Sequence, residues 1–432
     1  MYLGCSGWRA TCCPSRSDGT DDSRSGHVLH PEARAEPIAD LPRMTYARRR
    51  FTFRIFIVGE LGLFHLIRHL LIVLQSLTVL SVTVLSLTLP STALSSIPLT
   101  STSLATQSAT AINPDRLQAA AARLPRLQSL IISQGGEIAF EQYYAGRSAN
   151  QPANLKSASK SVISALVGIA IDQGFIEGVD QPIADFFPEY RQTDLAATVN
   201  AITVGNLLTM QAGLASTSGR NYGRWVISDD WVESALRMPS VAAPGTLMIY
   251  STGSTHILSA IIARATGMNT REFAQQYLAS PLGFRLAYWS RDPKGVYFGG
   301  NDMEMTPRHM LAFGRLYLNG GIHNDTQLIS ADWVADSLMA RATSPRGEGR
   351  FYGYGWWLRD MAGLQVPMAW GYGGQLIFVL PEFDMVIVAT SDSTPDPSRR
   401  GHLGQLYDLI ENQIIAPLLS ATLTTATTTP AS

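Results

Sequence analysis

The chain has 432 residues, 46% of them hydrophobic, and its 33 Lys and Arg nearly cancel its 34 Asp and Glu for a formal net charge of -1. A chain this long can bury a large core, and so even a charge balance gives no basic surface for nucleic acid. All three cysteines, Cys5, Cys12 and Cys13, fall within the first thirteen residues, so the rest of the chain has no disulfide and no thiolate metal site.

Residues 1–43 are rich in Arg, Asp, Ser, Gly and Pro without a hydrophobic period, and read as disordered or as a start-site artefact upstream of Met44. Segment 44–93 opens on Arg48-Arg49-Arg50 and then becomes apolar. Within it, His69 to Leu89 is 21 residues of mostly Leu, Val, Ser and Thr, a length that suits a membrane span or a long signal sequence. Ser91-Thr92-Ala93 offers a small-residue cleavage site. The expectation is an extracytoplasmic protein, periplasmic, secreted or membrane-anchored, with membrane association through this segment. A Ser/Thr/Ala linker covers 94–113, the catalytic domain 114–419, and a Thr-rich disordered tail 420–432.

The domain opens with a hairpin signal: Leu127 to Ser133, Gly135-Gly136, then Glu137 to Glu141. Ser157-Ala158-Ser159-Lys160 follows, at the start of an almost wholly apolar helix running through Ile171. A serine and a lysine three apart share one helix face, and desolvation pushes a lysine toward its neutral, proton-accepting form, so the pair can make a nucleophile. Its ordinary alternative is a capping serine beside a solvated lysine. Helical patterns dominate to about Gln276.

Tyr250-Ser251-Thr252-Gly253 lies between the turn Pro244-Gly245-Thr246 and a helix containing His256 to Arg264. A phenol near an ammonium has its phenolate favoured, which would make Tyr250 a second base; packing is its commoner role. Strands resume from Tyr354 to Ser391. There Trp370-Gly371-Tyr372-Gly373-Gly374-Gln375 leads into Leu376 to Leu380 and, after a short turn, Met385 to Thr390, a hairpin at the centre of a sheet. Glycines before a strand let a ligand approach the backbone, and an N–H there could serve an oxyanion hole; an ordinary start of a strand reads the same way. An amphipathic helix spans His402 to Leu418. The fold expected is α+β, an antiparallel sheet built from both ends of the domain, flanked by helices, with an inserted helical domain and a cleft between them. His256, His309 and His323 read as isolated residues, no G-x-S-x-G elbow is present, and neither a metal nor a cofactor is implied.

Taken together, these motifs in this order resemble the serine hydrolases of the class C β-lactamase and penicillin-recognising superfamily, over about Pro114 to Leu419. Ile202 to Leu214, Met305 to Gly321 and Tyr352 to Trp357 agree with it. The resemblance implies that Ser157 is the acylated nucleophile, Lys160 its partner, and Tyr250 the tyrosine of a Y-x-N motif. Ala369-Trp370-Gly371 falls where the family has Lys-Thr-Gly, so the Tyr372 N–H resembles the second oxyanion donor, with Trp370, Gly371 and Gly373 beside the substrate. Two departures stand out: Thr252 replaces the asparagine and Ala369 the lysine. The site is therefore expected to lack the amide and the cation that hold a penicillin, and to prefer uncharged substrates. The variant Gly-Tyr-Gly-Gly-Gln resembles the esterase and 6-aminohexanoate-dimer hydrolase branch, which implies small esters or linear amides as substrates. A β-lactamase or DD-peptidase is the alternative within the same chemistry, and a non-catalytic binding module on this fold is the other. No oligomeric state is implied.

Overall fold

The computed structural model describes residues 112–428. Segments 1–43 and 44–93, with the expected membrane span and cleavage site, lie outside them, as does most of the linker. Among the described residues no helix is long and apolar enough to cross a membrane.

Helix α1 (Pro114–Ala121) starts on Asn113, whose side chain accepts the Arg116 N–H at 3.0 Å. Strands β1 (Leu127–Gln134) and β2 (Glu137–Tyr143) form the expected hairpin, turned by Gly135 and Gly136 at φ +58° and +83°. Two successive left-handed residues are what a tight hairpin needs, and glycine adopts them without strain. Three long helices follow, α2 (Ser159–Asp172), α3 (Thr252–Thr266) and α4 (Pro307–Leu318), with shorter ones between them. The chain then returns as β3 (Ala342–Thr343), β4 (Arg350–Tyr352), β5 (Trp357–Met361), β6 (Leu364–Gly371), β7 (Gln375–Leu380) and β8 (Met385–Ser391). The main sheet thus resumes at Ala342, before the expected Tyr354; β3 and β4 are only two and three residues long and carry no alternation to read. Helix α5 (His402–Ile410) follows the last strand and runs on through a π-helical turn, Glu411–Ile415.

The eight strands form one sheet in the order β2-β1-β8-β7-β6-β5-β4-β3. Neighbours are antiparallel throughout, and the amino-terminal hairpin joins the edge of the final strand. Alternation along β7 sorts its side chains between two cores: Ile377 and Val379 face the cluster with α2, α3 and α4, whereas Leu376, Phe378 and Leu380 face the cluster with α1 and α5. Both faces are covered, which is why these strands read as unbroken apolar runs.

The carboxy-terminal segment corrects an expectation. Helix continues past Leu418 through Thr428 rather than ending in a disordered tail at 420. The Ser420 and Thr422 hydroxyls bond back to the carbonyls of Ala416 and Leu418 at 2.9 and 3.0 Å, and a helix already nucleated extends at little cost.

Candidate active site

Ser157 sits on a single 3-10 turn, Lys156–Ala158, that runs straight into α2. Lys156 is left-handed at φ +50°, a conformation that costs a non-glycine residue roughly 1 to 3 kcal/mol and must be braced. The braces are local. Asn154 accepts the Lys156 N–H at 2.9 Å and donates to Asp302 at 2.8 Å, and the Lys156 ammonium pairs with Asp302 at 3.4 Å. Gly371, at the end of β6, allows the sheet to approach this turn: a Cβ there would lie 2.1 Å from the Leu155 carbonyl oxygen. Gly373, at φ +85°, approaches Ser393 in the same manner and packs rather than lines the cavity.

Lys160 is the second residue of α2 and is 1% exposed. Its ammonium nitrogen is 3.2 Å from Ser157 Oγ, 3.3 Å from Thr252 Oγ1 and 2.7 Å from the Gly300 carbonyl. Among the described residues no carboxylate pairs with it, and burial pulls its pKa down to about 7. Thr252, at the position of the missing amide, is held by Ser218, whose Oγ is 2.9 Å from both Thr252 N and Thr252 Oγ1. Serine, lysine and threonine therefore form one hydrogen-bonded line.

Tyr250 closes the other side of this line, with the Lys160 nitrogen 5.2 Å from its ring centroid. Burial works against its expected role as a base. Burial raises the Tyr250 pKa to about 12, and Ser157, the Arg346 charge and Trp357 offset only part of that. Burial thus favours the neutral phenol at Tyr250 and the neutral amine at Lys160. The Tyr250 hydroxyl is buried and has no hydrogen-bond partner among the described residues; it leans toward Ser157 without closing a bond.

Ser157, Lys156, Tyr250, Thr252, Trp370 and Tyr372 share the wall of a cavity of about 510 Å3. Among the described residues no backbone acceptor pairs with the N–H of Ser157 or of Tyr372. Ala369 is absent from this wall. It is fully buried, on the opposite side of β6 from Trp370, in the cluster with Leu155, Ala158 and Val162. The family's lysine is missing as expected, but other cations stand on the wall. Lys156 and Arg346 line it, and no Asp or Glu does. The Arg346 guanidinium lies 5.4 Å from the Tyr250 ring centroid.

The sequence also hides the device that delivers Gly300. His256 is not isolated: its Nε2 is 3.0 Å from Asp292 Oδ2, and both side chains are fully buried. The Gly299 N–H points at His256 Nδ1 at 3.4 Å, so Nε2 carries the proton and donates to Asp292. The pair fixes the loop that ends in Gly299 and Gly300, where a Cβ would lie 2.1 Å from the Thr255 carbonyl oxygen and 2.8 Å from Lys160 Nζ respectively. Asn301 follows on the cavity wall, with Nδ2 donating to the Tyr222 hydroxyl at 2.6 Å and Oδ1 buried without a partner among the described residues. His309 stacks on Phe284 at 4.2 Å, and His323 lies on the exposed hairpin Ile322–Gln327.

A family model described as Beta-lactamase matches residues 125–411. Among curated proteins, the chain is 28% identical over 326 residues to the 6-aminohexanoate-dimer hydrolase of Paenarthrobacter ureafaciens, covering 66% of this chain and 79% of that protein. It is also 28% identical over 203 residues to esterase EstB of Burkholderia gladioli, covering 42% of this chain and 51% of the esterase. Among solved structures, a putative 6-aminohexanoate-dimer hydrolase from Bacillus anthracis superposes with a TM-score of 0.60 at 20% identity, over 72% of this chain and 82% of that one. EstCE1, a hydrolase with promiscuous acyltransferase activity, gives 0.58 at 19% identity, over 72% and 100%. These superpositions show a common fold.

Proposed function

The chain belongs to the Beta-lactamase family and is a serine hydrolase related to esterases and 6-aminohexanoate-dimer hydrolase; from that premise we propose that it cleaves small esters or linear amides through an acyl-enzyme on Ser157. The observation that carries this reading is a buried lysine without a counter-ion, 3.2 Å from a serine hydroxyl that lines an open cavity. Neutral Lys160 takes the Ser157 proton as Oγ attacks the substrate carbonyl. The N–H groups of Ser157 and Tyr372 receive the negative charge that develops on the carbonyl oxygen. Tyr250 passes its proton to the departing alkoxide or amine and is reprotonated by Lys160; water then attacks the acyl-enzyme as neutral Lys160 takes a water proton, which returns to Ser157 Oγ as the acid leaves. Buried polar atoms without partners are rare, and the Tyr250 hydroxyl and Asn301 Oδ1 supply a donor and an acceptor suited to an ester or amide. The segment 44–93 supports an extracytoplasmic location.

Esters and linear amides are favoured over β-lactams for two reasons. Ala369 is turned into the core where the family has a lysine, so the cations of the cavity wall, Lys156 and Arg346, stand elsewhere than the one that holds a β-lactam carboxylate, and Thr252 is engaged by Lys160 and Ser218. The expected result is a higher kcat/KM for p-nitrophenyl butyrate than for nitrocefin. An enzyme that favours nitrocefin would instead support the β-lactamase reading.

The lysine also sets the pH dependence. Its folded pKa of about 7 means that the neutral base is lost as pH falls through that value. kcat/KM should drop about tenfold per pH unit below roughly pH 6 and level off above roughly pH 8, the behaviour of one essential base. A rate constant between pH 5 and pH 8 would exclude Lys160 as that base.

A further inference from the structure

Beyond Trp370 the Ser157 cavity meets a second cavity of about 340 Å3, which shares Trp370 and Arg346 with it and lies between β5, β6 and α5. Three arginines line it: Arg346, Arg350 and Arg359. Arg350 on β4 and Arg359 on β5 are direct cross-strand partners, an arrangement that repels unless an anion lies between the two guanidinium groups. Among the described residues none of the three makes an ion pair. Neighbouring carboxylates are directed elsewhere. Asp360 follows Arg359 and so faces the other side of the sheet, accepting the Gly363 N–H at 3.3 Å, and Glu411 accepts the Ala362 N–H at 2.9 Å. Glu348, in the Arg346 loop, is exposed and unengaged with the three.

Arg359 is held in place without being satisfied. Its guanidinium lies 4.1 Å from the Tyr407 ring centroid, and its Nε is buried with no hydrogen-bond partner among the described residues. Arg350 donates to the Arg346 carbonyl at 3.2 Å, which ties the loop to the cluster. A buried unpaired donor is costly, and a set of cations with open donors on one cavity wall fits a carboxylate, which accepts from guanidinium groups in paired fashion.

We propose that this cavity is an anion subsite that receives the carboxylate end of an extended substrate whose scissile carbonyl lies at Ser157. The proposal rests on the reading of Ser157 as the nucleophile. Two cavities joined at Arg346 and Trp370 suit a substrate that is reactive at one end and anionic at the other. The apolar faces of Trp357, Trp370 and Leu403 line the path of its methylene chain.

Three esters test this in wild type and in the Arg350→Gln/Arg359→Gln protein. They are p-nitrophenyl butyrate, which is neutral; mono-p-nitrophenyl adipate, with its carboxylate on the acyl side; and 4-carboxyphenyl butyrate, with its carboxylate on the leaving group. The readout is kcat/KM of each charged ester relative to the neutral one. At least one of the two ratios is expected to fall by about ten- to a hundredfold in the double variant, the scale of a charge-assisted pair. Arg350→Gln alone, at a half-buried position, should lower the same ratio several-fold, and it stands in if the double variant does not fold. Both ratios within twofold of wild type would overturn the subsite while leaving Ser157 intact. Failure of the wild-type protein to turn over any of the three esters would overturn the Ser157 reading, and the subsite with it.

Discussion

Ser157→Ala is expected to reduce kcat on the fastest ester substrate by at least about a thousandfold while leaving the melting temperature nearly unchanged. Loss of a nucleophile removes the covalent route and leaves only binding and polarisation of the carbonyl, which is why effects of this size or larger follow. The fold loses little, because the hydroxyl's recorded contact is with Lys160, whose nitrogen keeps Thr252 and Gly300 as partners. Most changes that neither open a large cavity nor strand a buried group stay small in stability. Steady-state kinetics beside a thermal melt checks both halves. More than a tenth of wild-type kcat in a folded variant would remove Ser157 from the reaction.

The second large effect is expected in a double-mutant cycle of Lys160→Met and Tyr250→Phe. Each single change should cost about a hundredfold or more in kcat, and the pair little more than the worse single. Lys160 and Tyr250 face one another across 5.2 Å and serve the same proton, so breaking the path once already breaks it. Methionine keeps the long stem in a fully buried position and so limits the packing loss. The structure also separates their roles. A lysine near 7 and a tyrosine near 12 can be base and acid at the same pH, whereas two bases would compete. Losses that add in full across the cycle would show two independent contributions.

Much of this site could be read in the sequence because its central parts are local. Ser157 and Lys160 are three residues apart in a helical pattern, and Tyr250 lies between a turn and a helix, so spacing alone brings each to the front of an element. The sheet was legible for a similar reason: Gly135-Gly136 and the apolar runs of β7 and β8 carry their turn and strand signals within a few residues. What escaped depends on contacts between distant segments. Gly300, Ser218 and Asn301 reach the site only after loops far apart in sequence close on one another, and nothing in their own neighbourhoods distinguishes them. Asp292 lies 36 positions after the histidine it binds. The direction of Ala369 was set by strand register, which turns Trp370 to the cavity and its neighbour to the core. The cation that Arg346 brings to the cavity wall from the loop before β4 is marked by no motif. Burial raises the Tyr250 pKa to about 12 against the pull of nearby charges, a balance that appears only once the ring is packed against Trp357 and Tyr352.

The most direct test is the intact mass of the protein, quenched with acid during turnover of p-nitrophenyl butyrate and followed by peptide fragmentation. The account predicts a mass gain of one butyryl group, located on Ser157, present in wild type and absent from Ser157→Ala. The same gain on another residue, or an equal gain in the Ser157→Ala protein, would contradict it.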